Sequence, residues 1–288
     1  VSEKSEKIPS GLPSLRDPDA NFYVKPEPGG LAVGGWESNT KPWGDKGIPI
    51  DFGPELLQPD YDRFEPLGGA ACARIPVLNE VGIRQMINGP IPITADGEPV
   101  IGLSPELDNF YLCCGFTSGI AASGGAGWVM ANWIVDGDPG LDLWPFDVRR
   151  FGAPHAVKAT LYERAVEAYG RYYFIAFPNH ELEAGRGARR SPLYDTLKRQ
   201  GAVYGNKFGW ERPNWFAPSG TPAVEVPTFE RGPAFDAIAA EHRAVRERVA
   251  LIDMSSFSKF EVRGAGALAL LQKLAVNDLD KPEGSIVY

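Results

Sequence analysis

The stretch Asn109-Phe110-Tyr111-Leu112-Cys113-Cys114-Gly115-Phe116-Thr117-Ser118-Gly119-Ile120, continuing to Val135, decides how this chain reads. Residues 109–114 form an apolar run of strand length, expected to be buried. Gly115 to Gly119 make a sharp turn. Ile120 to Val135 reads as a helix, closed by Asp136-Gly137-Asp138-Pro139. A strand that ends in such a turn and opens a helix aims the unpaired N–H groups of the first helical turn at whatever lies above it. The helix dipole adds about half a positive charge there.

That corner suits a phosphate, a carboxylate or the anionic edge of a reduced flavin. It equally describes a helix packed on a sheet with no ligand. Gly124, Gly125 and Gly127 each cost about 1 kcal/mol relative to Ala inside a helix, which points to a close neighbour on that face. Gly119-Ile120-Ala121-Ala122-Ser123-Gly124 does not match the G-x-G-x-x-G fingerprint, so the motif supports no pyrophosphate site.

Upstream, Asn21–Lys25 and Leu31–Trp36 read as the two strands of a hairpin around Pro26–Gly30. Residues 37–60 form a long Pro/Gly loop. Residues 61–82 carry weak signals, with a helix start at Ile75. Ile83–Ile87 and Ile91–Thr94 read as short strands, and Pro99–Gly102 as another. Downstream, helices are expected near 155–169, 193–201, 234–250 and 265–275. Strands are expected at Ser258–Val262 and 285–288. The aromatics Tyr204, Phe208, Trp210, Trp215 and Phe216 fit either a pocket for a flat heterocycle or a core corner. Arg186 to Arg190 reads as a solvated loop. The polar stretch 181–191 reads as a domain boundary open to proteolysis.

The chain has 288 residues, enough for roughly two domains. With 43% hydrophobic and 23% charged residues it is an ordinary globular composition. The 33 Gly and 26 Pro disfavour a helical bundle. A net charge of −8 disfavours nucleic acid and anionic membranes as partners. No apolar run is long enough to insert in a membrane. Cys72, Cys113 and Cys114 are too few for a disulfide framework, and the adjacent pair reads as small buried hydrophobes. His155, His180 and His242 lack metal-ligand spacing. His155 reads as a helix-start residue and His242 as surface or packing. No G-x-S-x-G is present for serine-hydrolase chemistry.

Several of these motifs, in order, resemble one family. The run Asn88-Gly89-Pro90 with Thr94–Gly102, the run Phe110–Ile120 with Gly124–Gly127, and Trp133–Pro139 with Asp147–Gly152 resemble the dimethylglycine and sarcosine dehydrogenase family. Ser191–Tyr194, Gly209–Pro213, Glu241–Arg246 and Asp253–Phe260 resemble the opening of its folate domain. The resemblance implies a mixed α+β fold in three pieces. Residues 1–148 would be part of an FAD-dependent, D-amino-acid-oxidase-like oxidoreductase domain. Residues 149–191 would be a central connector, and 192–288 the start of an aminomethyltransferase-like folate-binding domain. Residues 109–114 would be a parallel strand of the dinucleotide-fold kind.

The implied chemistry is FAD-dependent oxidative demethylation of a small N-methyl amine, sarcosine or dimethylglycine, with the one-carbon unit passed to tetrahydrofolate. Electrons would go to an electron-transfer flavoprotein or to oxygen. The implied flavin contacts are Gly115, Phe116, Thr117, Ser118, Gly119 and Ile120. Tyr23 falls where related amine oxidases place a substrate-facing, catalytic tyrosine; a packed strand aromatic is the rival reading. The implied compartment is the bacterial cytoplasm or the mitochondrial matrix. The alternative function is a non-catalytic regulatory protein similar to the regulatory subunit of pyruvate dehydrogenase phosphatase. The family's glycine fingerprint and flavin-linking histidine have no counterpart here. The chain therefore reads as an internal stretch of a longer polypeptide that alone would neither hold flavin nor oxidise amines.

Overall fold

Strand β2 (Phe22–Glu27) alternates over its first four residues: Phe22 and Val24 are buried, while Tyr23 and Lys25 point to the other face. It pairs antiparallel with β1 (Leu15–Asp17) and β3 (Gly30–Gly35), giving a three-stranded meander. The hairpin turn uses Gly29 at φ +75°, in the left-handed region that favours glycine. The computed structural model describes residues 1–288, which divide into two compact units, Val1–Ala250 and Leu251–Tyr288.

Helix α1 (Tyr61–Arg74) covers the buried face of the meander, placing Leu67 and Ala71 against Ile8, Phe22, Val24 and Leu31. The Asp60 side chain caps it by accepting from the Arg63 N–H at 3.1 Å. Arg74 closes it with two bonds to buried Asp17, at 3.1 and 2.8 Å. The Ala20 N–H, and then the Arg74 guanidinium, hold the Asp17 carboxyl below its usual range. Sequence reading leaves this helix out because Pro66, Gly68 and Gly69 lie inside it. Burial on the meander overrides the low propensity.

β4 (Val100–Leu103) and β5 (Tyr111–Cys114) form an antiparallel pair, and β5 has no parallel neighbour in this chain. The expectation of a parallel strand at 109–114 is thus corrected. So is the expected burial of its cysteines: Cys113 and Cys114 are exposed, because nothing in this chain covers that end of β5. Helix α2 (Gly119–Asp136) buries Ala126, Val129 and Met130 against Ile101, Tyr111 and Phe116. It ends at Gly137 (φ +77°), whose N–H donates to the Trp133 carbonyl. A Cβ built on Gly124, Gly125 or Gly127 meets nothing within 4 Å, so the close neighbour expected there is absent from this chain.

Arg150 then ties the segment after α2 to the loop before β4, donating to Asp96 at 2.7 and 3.0 Å and to the Glu98 carbonyl at 2.7 Å. Helix α3 (Lys158–Gly170) follows, and α4 (Tyr194–Arg199) leads into the hairpin β6 (Ala202–Lys207) and β7 (Trp210–Phe216). Trp215 is 1% exposed and packs with Val203 and Ala237 of α5 (Ala234–Glu247). Of the aromatics of 204–216, Trp215 thus sits in a core corner, while Phe208, on the hairpin turn, is 59% exposed.

The stretch 181–191 is stitched down. Glu167 accepts from the N–H groups of Glu183 and Ala184, and Glu163 from that of Gly185. Arg186, read from sequence as part of a solvated loop, forks onto buried Glu211 at 2.9 and 2.6 Å. Arg189 lies over Trp210 and Arg190 over Tyr194.

Four expected strands are not formed. Ile83 makes one isolated bridge to Ser2. Pro90 and Pro92 remove the donors that 91–94 would need for a ladder. In the second unit, residues 258–262 and 285–288 have no ladder partner, and helix α6 (Ala267–Leu274) is its one regular element.

Candidate active site

Tyr23 can occupy the open face of the meander because its cross-strand partner is Gly34. A Cβ on Gly34 would lie 2.4 Å from the phenol ring. The ring meets Tyr173 edge-on, with centroids 5.9 Å apart. Tyr173 belongs to the aromatic run Tyr169-Gly170-Arg171-Tyr172-Tyr173 at the end of α3. Buried Trp36, just after β3, packs against Tyr172 at 4.3 Å and Tyr169 at 4.8 Å. Gly170 permits this approach, since a Cβ there would sit 3.2 Å from the Ser38 backbone.

The same run reaches the strand–turn–helix corner. The Tyr172 hydroxyl shares a hydrogen bond with the Ser118 hydroxyl. Tyr23 and the 115–120 turn, far apart in sequence, are thereby linked through two adjacent tyrosines. Within the turn, Gly115 is at φ +74°, and a Cβ there would lie 2.7 Å from Thr94 Cγ2. Phe116 packs inward with Ile101 and Met130. Thr117 is half-buried, and Ser118, Gly119 and Ile120 are exposed. No side chain caps the N-terminus of α2, so the N–H groups of its first turn face outward.

Tyr23 lines a concavity of about 640 Å³ together with Gly34, Glu37, Arg63 and Asn88. A second concavity, of about 490 Å³, shares Glu37, Arg63 and Tyr169 with the first and adds Trp43 and Phe52. The 115–120 turn lines neither, and meets their wall through Tyr172, Trp36 and Tyr169.

The shared wall is a polar network. Tyr169 donates its hydroxyl to Glu37 Oε2 at 2.8 Å. Arg63 Nε lies 3.3 Å from Asp60 Oδ2 and 3.7 Å from Glu37 Oε1. Lys41 Nζ lies 3.3 Å from the same Asp60 oxygen. Burial, and then the Glu37 carboxylate, push the Tyr169 phenol well above its ordinary range. Burial, and then Tyr173, raise that of Tyr23. Both phenols therefore stay protonated at neutral pH and act as hydrogen-bond donors.

Sequence reading singles out Tyr23 and the turn but leaves out Glu37, Arg63, Tyr169, Tyr172 and Tyr173. A signal exists in the aromatic density of 169–174. His155 accepts the Gly152 N–H on Nδ1 at 3.1 Å. Burial, and then Arg164, lower its basicity. His180 packs beside Phe174 and Phe177. Neither ring lines the two concavities.

The FAD dependent oxidoreductase family matches residues 2–133, and the FAD dependent oxidoreductase central domain matches 136–191. The GCVT N-terminal domain matches 193–288. In chain order the sequence thus matches two modules of FAD dependent oxidoreductases and then a GCVT module. Human mitochondrial sarcosine dehydrogenase is 36% identical over 316 residues, covering 100% of this chain and 34% of the relative. Mouse mitochondrial dimethylglycine dehydrogenase is 36% identical over 276 residues, covering 94% and 32%. The mouse regulatory subunit of mitochondrial pyruvate dehydrogenase phosphatase is 36% identical over 287 residues, covering 98% and 33%. Along its whole length the chain is similar to sarcosine and dimethylglycine dehydrogenases, and it spans about a third of the length of these relatives. No helix is long and apolar enough to cross a membrane.

Proposed function

We propose that the polypeptide to which this chain belongs oxidises a small N-methyl amino acid, sarcosine or dimethylglycine, with FAD as hydride acceptor. One observation carries the reading. Tyr23, on the cavity wall, and the turn 115–120, with its uncapped helix N-terminus, are joined through Tyr173 and Tyr172. An amine-oxidising flavin site needs a substrate surface beside a set of donors for the anionic edge of the reduced cofactor.

The residues present fit part of FAD. Ser118, Gly119 and Ile120 offer an exposed donor edge, with Gly115 and Thr117 half-buried beside it and open space over the glycines of α2. FAD, when bound, supplies the two-electron oxidation. Gly119 and Ile120 would donate backbone N–H groups to its negative edge, and the α2 dipole would add to them. Phe116 anchors the turn from below, and the Tyr172–Ser118 bond fixes its height. Tyr23, protonated, would donate to a substrate atom and orient it, and Trp36 and the tyrosines exclude water from that side. The bound amine must lose its proton in the site before hydride leaves, because its lone pair drives hydride loss.

The domain reading follows the same proposal: 1–148 on the flavin side, 149–191 as connector, and 192–288 opening a folate domain. In that arrangement tetrahydrofolate collects the one-carbon unit released by iminium breakdown, and an electron-transfer flavoprotein or oxygen takes the electrons. The setting we assign is the bacterial cytoplasm or the mitochondrial matrix; the relatives named above are mitochondrial. A second reading is favoured by one specific finding, the 36% identity to a phosphatase regulatory subunit. The test is to load the complete polypeptide with FAD, add dimethylglycine or sarcosine, and assay formaldehyde with and without tetrahydrofolate. Formaldehyde without folate, suppressed by folate, supports the first reading. A flavin-free protein that makes none supports the second.

A further inference from the structure

We propose that Arg63 is the residue that reads the carboxylate of the substrate, with Glu37 facing its ammonium end. The inference rests on the amine-oxidation reading and goes beyond it by assigning recognition to residues outside the turn and Tyr23. Arg63 stands in the wall shared by both concavities, its side chain 13% exposed. Its Nε faces Asp60 and Glu37. These two carboxylates lie on the Nε side of the guanidinium, and its terminal nitrogens make no hydrogen bond within the chain. A desolvated guanidinium with uncommitted N–H groups at a cavity wall is a preformed seat for a carboxylate, which it grips with two parallel bonds.

Charge decides which carboxylates qualify. Arg63 and Lys41 stand against Glu37 and Asp60, so the ion network of the wall sums to zero. A free carboxylic acid would leave one uncompensated negative charge in a half-dry cavity, which is costly. A zwitterion brings its own positive charge. With its carboxylate on Arg63, its ammonium end meets the Glu37 carboxylate, which Tyr169 holds in place by donating to Oε2. Arg63 and Glu37 are thus the two poles of a site for a net-neutral amino acid, and its N-methyl group is directed into the cavity that Tyr23 lines.

The experiment compares the FAD-loaded complete polypeptide with its Arg63→Gln and Arg63→Lys variants, using three probes. Dimethylglycine carries both poles. N,N-dimethylethylamine lacks the carboxylate. Trimethylglycine keeps both charges but has no lone pair to oxidise, so its Kd by calorimetry reports recognition without turnover. Arg63→Gln should weaken trimethylglycine binding about 100-fold and raise KM for dimethylglycine similarly, while kcat/KM for N,N-dimethylethylamine changes less than about threefold. Arg63→Lys should recover about tenfold of that loss. If Arg63→Gln does not fold, Arg63→Lys alone still reads the proposal through a roughly tenfold weaker trimethylglycine Kd. Equal losses on both amines, or an unchanged trimethylglycine Kd, overturn the assignment of Arg63 and leave amine oxidation standing. A wild-type protein that neither binds trimethylglycine nor oxidises either amine overturns both readings.

Discussion

The hydroxyl of Tyr172 and the hydroxyl of Ser118 share a hydrogen bond that joins the end of α3 to the start of α2. It is the polar link between an aromatic wall and the turn on which the flavin reading depends. Tyr172→Phe keeps the ring against Trp36 and removes only this bond. The expected loss of stability is about 1 kcal/mol, measured by urea unfolding. Flavin retention on gel filtration should fall in the same variant. Unchanged retention would mean that the turn is positioned by Phe116 and Gly115 alone.

Gly34 lies directly beneath the Tyr23 ring. Gly34→Ala should displace Tyr23 and destabilise the meander by about 1–3 kcal/mol, the range for overpacking. The double variant Gly34→Ala with Tyr23→Ala should recover most of that loss, because the clashing ring is gone. Thermal unfolding of the four proteins of this cycle measures the coupling, and simple additivity would show that the two residues do not meet.

Glu211 is 4% exposed and holds Arg186 and the Gly187 N–H. Burial works to raise its pKa, but the Arg186 guanidinium and the Gly187 N–H outweigh it and leave the carboxyl below its usual value. A carboxyl depressed in the folded state adds stability above its unfolded pKa of about 4.3, and that stability is lost as pH falls through the folded value. Unfolding free energy should therefore drop below about pH 4, and Glu211→Gln should flatten that part of the curve. The variant should also cost about 3 kcal/mol at pH 7, since it strands a partly buried arginine. A pH profile identical to wild type would remove Glu211 from the account.

The polar stretch 181–191 reads from sequence as an open boundary. The carboxylates of Glu163, Glu167 and Glu211 hold its backbone at Glu183, Ala184, Gly185 and Gly187. Limited proteolysis should spare it and cut first between 251 and 266, where the backbone carries no helix or strand. Early fragments ending within 181–191 would contradict this.

The hairpin at 22–35 and helices α2, α3, α5 and α6 were legible because period-two alternation, glycine turns and helical runs coincide there. Helix α1 was not, because Pro66, Gly68 and Gly69 hide a helix whose stability comes from packing on Phe22 and Val24. The strands expected at 83–87, 91–94, 258–262 and 285–288 had suitable residues but no partner, and a strand exists only as part of a ladder. Of the site, the turn after 114 and its open helix start came from local pattern, while the flavin role of 115–120 and the role of Tyr23 came from resemblance. Glu37, Arg63, Tyr169 and Tyr172 converge only through tertiary structure, so no local pattern announces them.

We propose that this chain supplies the substrate side of a flavin site for N-methyl amino acids. Anaerobic mixing of the FAD-loaded complete polypeptide with dimethylglycine, followed by visible absorbance, tests it most directly. The oxidised flavin band should bleach with saturable dependence on dimethylglycine, and Tyr23→Phe should slow the bleaching without releasing flavin. A flavin band that persists at saturating dimethylglycine and sarcosine, or a complete polypeptide that binds no flavin, would contradict it.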